Sequence, residues 1–228
     1  MKAMKEQEVK YSGESVAVLF SGGIDCSLVA LLLRKEGHNV HLLHYEHGAS
    51  ISNGLHRIRF AELQQLIGSD KIVLKELSHR GLFRKFALAN IEQDFAKYKT
   101  SMICLGCRLA MHMETIIYCM QNNIHIVADG SVKYQNDFPE QNGIALEIFK
   151  KLYQQYDIEY KTLLADVESA KDVKYQLLDN GISIQSMEDT CLFSNTFKEA
   201  SEESIKGFLN ERLQECNVYI RERLKLVG

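Results

Sequence analysis

Short apolar runs alternate with amphipathic stretches along most of this chain, and that alternation restricts the fold more than any other feature. Strands are predicted at Ser15–Phe20, Val40–Tyr45, Ile72–Leu77, Ile124–Ala128 and Tyr160–Leu164. Helical spacing is predicted between and after them, at Ser27–Glu36, Asn53–Ile67, Leu82–Tyr98, Cys107–Gln121, Ala145–Tyr156, Val167–Asn180 and Ser201–Leu224. Strand–helix alternation builds right-handed βαβ units. The expected fold is therefore α/β: a doubly wound, mostly parallel five-stranded sheet with helices on both faces and a helical C-terminal extension. Ligands of such sheets sit beyond the carboxyl ends of the strands, so the loops there carry the functional reading.

Composition narrows the class. The 228 residues carry a formal charge of −3, which excludes a global basic field for nucleic acid but leaves room for a local patch. The start, "MKAMKEQEVKYSGES", is polar, and no apolar run of about 18 residues is expected to span a membrane. A cytoplasmic chain without a membrane partner is expected, where thiols stay reduced. Its six cysteines (Cys26, Cys104, Cys107, Cys119, Cys191, Cys216) then favour metal binding, redox chemistry or burial over disulfides.

The stretch "LFSGGIDCS" interrupts an apolar strand with two glycines, an acid and a thiol before a helix begins. Gly22 and Gly23 let the backbone come close to a ligand, and the following helix N-terminus presents free N–H groups and a positive dipole end. Ser21 and Ser27 add hydroxyls, and Asp25 is an N-cap candidate. Phosphate is the natural ligand. The loop lacks the GK[ST] ending of a Walker A motif and the spacing of GxGxxG.

"SGGIDCS" resembles the SGGxDS signature of the PP-loop ATP pyrophosphatases (adenine nucleotide alpha hydrolase-like), which include GMP synthetase, NAD synthetase, 7-cyano-7-deazaguanine synthase and the tRNA thiolation enzymes. The layout is closest to the thiolation enzymes. The resemblance implies that Ser21, Gly22, Gly23, Asp25 and Ser27 cradle the β/γ-phosphates of ATP and that Asp25 helps hold Mg²⁺. It implies cleavage between the α- and β-phosphates, with a substrate carbonyl oxygen attacking the α-phosphorus to give an adenylate and pyrophosphate. Cys26 stands where the family usually has serine, and its thiol is a weaker hydrogen-bond donor. The chain is expected to divide into a polar arm over 1–14, a PP-loop nucleotide-binding domain over 15–180 and an extension over 181–228 carrying Cys191 and an amphipathic helix.

The second strand ends in "LLHYEHGAS". The resemblance assigns adenine and ribose to this region, here Phe20 with His44 or Tyr45. His41, His44 and His47 are spaced i, i+3, which does not share one strand face, so solvated histidines are expected there rather than a metal site. His56, Arg57 and Arg59 offer positive charge to phosphate or form a solvated helix face.

"MICLGCRLAMH" holds the pair Cys104 and Cys107 directly before a predicted helix, where the helix N-terminus and Arg108 are expected to acidify the thiols. Cys191, in "MEDTCLFSN", is a third candidate. Three cysteines suit a [4Fe–4S] cluster with one open iron, and Zn²⁺ is the alternative if Cys216 supplies a fourth ligand. Cys119 and Cys216 read as core. The arrangement is similar to two thiolation subgroups, one holding a [4Fe–4S] cluster on such cysteines and one using them as a persulfide carrier and its partner; "EDTCLF" resembles the segment around their later cysteine.

After the fourth strand comes "DGSVKYQNDFPEQNG". Asp129, Gly130 and Ser131 are placed to meet the glycine loop across the crevice. Lys133, Gln135, Asp137 and Gln141 are candidates for phosphate, Mg²⁺ or substrate, with Lys133 set to offset charge at the α-phosphate.

The expected function is ATP-dependent adenylation of a carbonyl oxygen followed by sulfur transfer. Asp25, Cys104, Cys107 and Cys191 would carry the chemistry, and the acceptor is tRNA, another nucleobase or a small molecule. A sulfur donor protein and a homodimer are further partner expectations. A zinc-bearing ligase like 7-cyano-7-deazaguanine synthase and a non-catalytic nucleotide-binding protein are the alternatives.

Overall fold

A computed structural model describes residues 13–52, 54–193 and 199–226; most of the expected arm and Asn53 lie outside them. Five parallel strands, β1 (Ser15–Leu19), β2 (Asn39–Glu46), β3 (Ile72–Ser78), β4 (Ile126–Ala128) and β5 (Glu159–Lys161), form one sheet in the order β3-β2-β1-β4-β5. β1 lies at the centre, and its alternating side chains feed two cores. Val16, Val18 and Phe20 pack on one face, while Ala17 and Leu19 pack on the other.

The first face is covered by α1 (Ile24–Lys35), α2 (Leu55–Ile67) and, further along the chain, a helix at Ala170–Asp179. The chain then crosses to the second face. There a predicted single helix over Leu82–Tyr98 is broken into α3 (Arg80–Phe83), a π-helical turn at Arg84–Leu88 and α4 (Ile91–Tyr98). The physical reason lies in α5 (Ile103–Gln121): a Cβ on Gly106 would stand 2.5 Å from the Phe86 carbonyl oxygen and 2.8 Å from the Ala87 Cα. Backbone packs on backbone here, and the wider turn accommodates it.

α5 begins four residues earlier than its apolar spacing predicts, so Cys104 and Cys107 lie inside its first turns. It is long and apolar enough to cross a membrane by length and composition, contrary to expectation, but 61% of that stretch is buried inside the protein. It is the central core helix of the second face. α6 (Gly143–Gln154), α7 (the Ala170–Asp179 helix) and α8 (Glu202–Lys225) complete the set. α8 lays Phe208, Leu209, Cys216 and Ile220 into the core with α5 and α6, and Cys119 and Cys216 are both fully buried.

Candidate active site

β1 reverses its connection direction between its two neighbours, β2 and β4, which opens a crevice beyond its carboxyl end. The glycine loop lies there. Gly23, not Asp25, is the N-cap of α1, and no side chain caps it; α6, α7 and α8 are capped by Asn142, Ser169 and Ser201. The first-turn N–H groups of α1 are thus left to a ligand. Gly22 takes φ +91°, a conformation that favours glycine. Gly130, at the end of β4, comes so close that a Cβ there would stand 2.6 Å from the Cys26 nitrogen.

The side chains divide differently from their predicted roles. Asp25 accepts a hydrogen bond from the Tyr134 hydroxyl. Burial pushes its carboxyl up to about 6 against the opposing effect of that bond, and the nearby Glu188 carboxylate adds to the rise. Ser27 is fully buried, and its hydroxyl donates to the Gly23 carbonyl oxygen at 2.5 Å. Cys26 also donates to that oxygen, at 3.4 Å, and burial raises its thiol. Ser21 keeps an outward hydroxyl, which donates to Glu188 Oε1 at 2.6 Å.

The fourth-strand loop contributes unevenly. Asp129 is fully buried and pairs with Arg108 at 2.6 Å, with the Tyr160 hydroxyl as a further donor. Tyr134, Gln135 and Gln141 line the crevice. Lys133 instead pairs with Glu168 at 2.5 Å, both side chains well exposed, and Asp137 is exposed as well.

Around the end of β2, His41 and His47 are half-buried and His44 is withdrawn from solvent. His44 is buried, and its Nδ1 lies 3.2 Å from the Phe20 carbonyl oxygen, which joins the two residues expected at adenine. It stacks on His56 of α2, with ring centroids 3.4 Å apart. His56 is held between Glu76 at 2.8 Å and Asp189 at 3.0 Å. Among the described residues, the metal-type donors that converge within 4.8 Å are these: His44, His56 and Asp189. The Tyr45 hydroxyl is committed to Thr115 at 2.5 Å. Arg57 holds Glu76 on the surface, and Arg59 is buried against Glu62 and the carbonyls of Ser183 and Gln185.

The three candidate cysteines are brought together. Residues 187–192 cross the site as a strap: the Met187 N–H donates to the Gly22 carbonyl, Ile51 N–H to Thr190, and Leu192 N–H to Ala49, with an antiparallel bridge between Ser50 and Cys191. This places Cys191 on one cavity of about 320 Å³ with Cys104 and Cys107. The same cavity is lined by Phe20, Ser21, His44 and Tyr45. Contrary to expectation, the paired thiols are not acidified. Burial, Glu140 and the neighbouring Cys191 push Cys104 up to about 12. Burial raises Cys107 too, with Cys104, Cys191 and Glu140 adding to the rise and together outweighing the lowering effect of Arg108, which pairs with Asp129. A zinc ion needs its sulfur ligands within about 4 Å of one another, and the converging donor group lies elsewhere.

Besides Tyr134, four contributors escaped the sequence reading. His79, at the end of β3, sits 3.5 Å from Cys107 Sγ and is held neutral, burial pushing it down to about 3. Glu140 has a buried carboxylate oxygen without a partner and lines the thiol cavity. Glu188 and Asp189 stand in the strap. Their one signal was adjacency to Cys191 in "EDTC".

A model of the tRNA methyl transferase HUP domain matches residues 14–178. The chain belongs to this family. It is a family of the PP-loop superfamily, as the glycine loop implied. Similar solved structures include a predicted subunit of tRNA methyltransferase from Methanocaldococcus jannaschii, 22% identical over 87% of this chain and 89% of that one, with a TM-score of 0.47. NMN synthetase from Francisella tularensis is 17% identical over 95% of this chain and 89% of its own, with a TM-score of 0.49. No curated protein matches. The matched residues span β1 to the end of α7, so the family's HUP domain supplies the glycine loop and the Cys104–Cys107 pair, while Cys191 comes from beyond it.

Proposed function

We propose that the chain adenylates a carbonyl oxygen of a nucleobase in tRNA and then replaces that oxygen with sulfur. The observation that carries this reading is the shared cavity: the end of β1 and the three thiols of Cys104, Cys107 and Cys191 open onto one space of about 320 Å³. An activated carbon held there is within reach of both halves of the chemistry. The family description supports tRNA as the source of the base.

In this reading Gly22, Gly23 and the uncapped start of α1 hold the phosphates, and Gly130 closes the cradle. Phe20, His44 and Tyr45 receive the adenosine. Asp25 is the carboxylate at the loop whose oxygens suit Mg²⁺. When bound, that ion neutralises phosphate charge. The substrate oxygen attacks the α-phosphorus, pyrophosphate leaves, and a sulfur nucleophile then displaces AMP, which departs with the original oxygen. In the persulfide mode, the outer sulfur on Cys191, loaded by a sulfur donor protein, attacks the carbon. Cys104 then attacks the Cys191 sulfur, the S–S bond to the product breaks to release the sulfur-substituted base, and the Cys104–Cys191 disulfide left behind is reduced by an external thiol. Burial keeps the Cys104 thiol protonated until substrate and a proton acceptor are in place.

The test is incubation with ATP, Mg²⁺ and tRNA, following pyrophosphate release and the mass of digested nucleosides. Asp25→Ala is expected to abolish pyrophosphate release. Cys191→Ala is expected to keep it while losing the sulfur-substituted nucleoside. Pyrophosphate release that ignores Asp25 overturns the loop assignment. Iron and sulfide analysis after anaerobic purification separates the two modes of delivery, about four irons per chain marking a cluster on the three thiols and none marking a persulfide.

A further inference from the structure

The phosphate cradle already holds an anion, and that anion belongs to the chain. Glu188 Oε1 accepts from the Ser21 hydroxyl at 2.6 Å, and Ser21 in turn accepts the Gly23 N–H at 3.2 Å. A Cβ placed on Gly23 would meet the same carboxylate oxygen at 2.3 Å, so the side chain lies flat on the glycine that a phosphate would cover. The backbone beside it is pinned by the Met187 N–H to the Gly22 carbonyl at 3.2 Å. Glu188 also stands where three cavities of about 460, 320 and 90 Å³ meet, lining all of them. The smallest, between the loop and Gly130, is too small for a triphosphate.

A carboxylate in this place is at odds with its surroundings. Asp25 faces the same loop, and the two acids oppose each other there. The strap around Glu188 is nevertheless firmly tied: Asp189 accepts from Gly54 N–H and Leu55 N–H at the start of α2 and lies 3.0 Å from His56, and Thr190 N–H donates to Ser52 at 2.9 Å. Cys191 follows three residues after Glu188 on this tied segment.

We propose that Glu188 is a built-in phosphate mimic that closes the nucleotide site, and that ATP displaces it and shifts Cys191 in the same movement. The proposal rests on the ATP-binding reading of the loop. The two negative groups cannot share the cradle, so the phosphates must expel the carboxylate. Because Gly22 and Met187 are hydrogen-bonded neighbours, expulsion is transmitted along residues 187–191 to the carrier thiol. Sulfur is thereby held back until a nucleotide is bound, which protects the carrier from wasteful reaction.

The experiment measures Mg·ATP affinity by calorimetry for the wild type, Glu188→Gln and Glu188→Ala. In parallel it follows the rate at which iodoacetamide alkylates Cys191, read by peptide mass spectrometry with and without ATP. Both variants are expected to bind ATP roughly tenfold more tightly, the factor for releasing one charge-assisted hydrogen bond. Alkylation of Cys191 is expected to change on adding ATP to the wild type and to start at the ATP-bound rate in Glu188→Ala. Glu188→Gln keeps the shape of the strap, so a gain in affinity there reports the charge rather than a loosened fold. Wild-type binding with equal or weaker binding by Glu188→Gln overturns the mimic and makes Glu188 a cation ligand. A Cys191 rate insensitive to ATP overturns the coupling. Failure of wild type and both variants to bind ATP overturns the nucleotide reading, and this proposal with it.

Discussion

The glycine loop and the thiol corner share a cavity but are built in opposite ways. The loop is one contiguous stretch, Ser21–Ser27, whose backbone is set by its own glycines, with Gly130, His56 and residues 187–188 of the strap packed against it. The thiol corner takes Cys104 and Cys107 from α5, His79 from the end of β3, Glu140 from the loop before α6 and Cys191 from the strap. A contiguous motif fixes its geometry through local backbone choices. A corner gathered from four elements inherits its geometry, burial and acidity from everything that packs around it. Damage to the core should therefore disturb sulfur chemistry before it disturbs nucleotide binding.

The strongest attempt to break this contrast is Asp129→Ala. It leaves the Arg108 guanidinium, buried beside Cys107, without its carboxylate partner. Removing one member of a buried pair costs about 3–5 kcal/mol, to be read as a lower urea midpoint. Arg108 then faces the thiols, so Cys107 is expected to alkylate at lower pH than in the wild type. Gly106→Ala comes next. Its new methyl meets the Phe86 carbonyl oxygen at 2.5 Å, and overpacking of this kind costs about 1–3 kcal/mol. Sulfur incorporation should fall further than pyrophosphate release, measured side by side; an equal fall would dissolve the distinction between the two regions.

The third test is pH. Pyrophosphate release should decline as pH falls through about 6, where Asp25 takes up its proton. The sign for stability is the reverse. The folded protein holds this proton more tightly than an unfolded chain with a carboxyl near 3.8, so ionising Asp25 costs stability as pH rises from there to about 6. Asp25→Asn should remove that slope in a series of thermal melts. Lys133→Ala is the smallest expected effect. With Lys133 paired to Glu168 on the surface, neither the unfolding midpoint nor the ATP concentration dependence should move measurably.

What the sequence disclosed follows the same division. The family was legible in "SGGIDCS" because the motif is local, a glycine turn leading from a strand into a helix. Gly130 was legible through its place after β4, since strand order decides which loops meet. The side chains of the next residues were not, because the 3₁₀ turn at Lys133–Gln135 sends Tyr134 inward and Lys133 outward, and nothing in the local pattern distinguishes them. The helix start before the paired thiols suggested acidic cysteines. Their burial under residues from β3, the strap and the loop carrying Glu140 reversed the direction. His44 and His56 find each other across two elements, so the spacing along β2 alone pointed to solvent. The break within Leu82–Tyr98 was hidden because its cause, Gly106, sits on another helix.

The strap joins Ser21 to Glu188 across 167 positions of sequence. During synthesis the chain emerges from its first residue, and early domains organise before later ones. The central strand gains its second neighbour only once Ala128 has been made, and the phosphate cradle can then assemble with Gly130. Cys191 arrives 63 positions after Ala128. A nascent chain thus passes through an interval in which the glycine loop and Gly130 have been made while Glu188 and Cys191 have not.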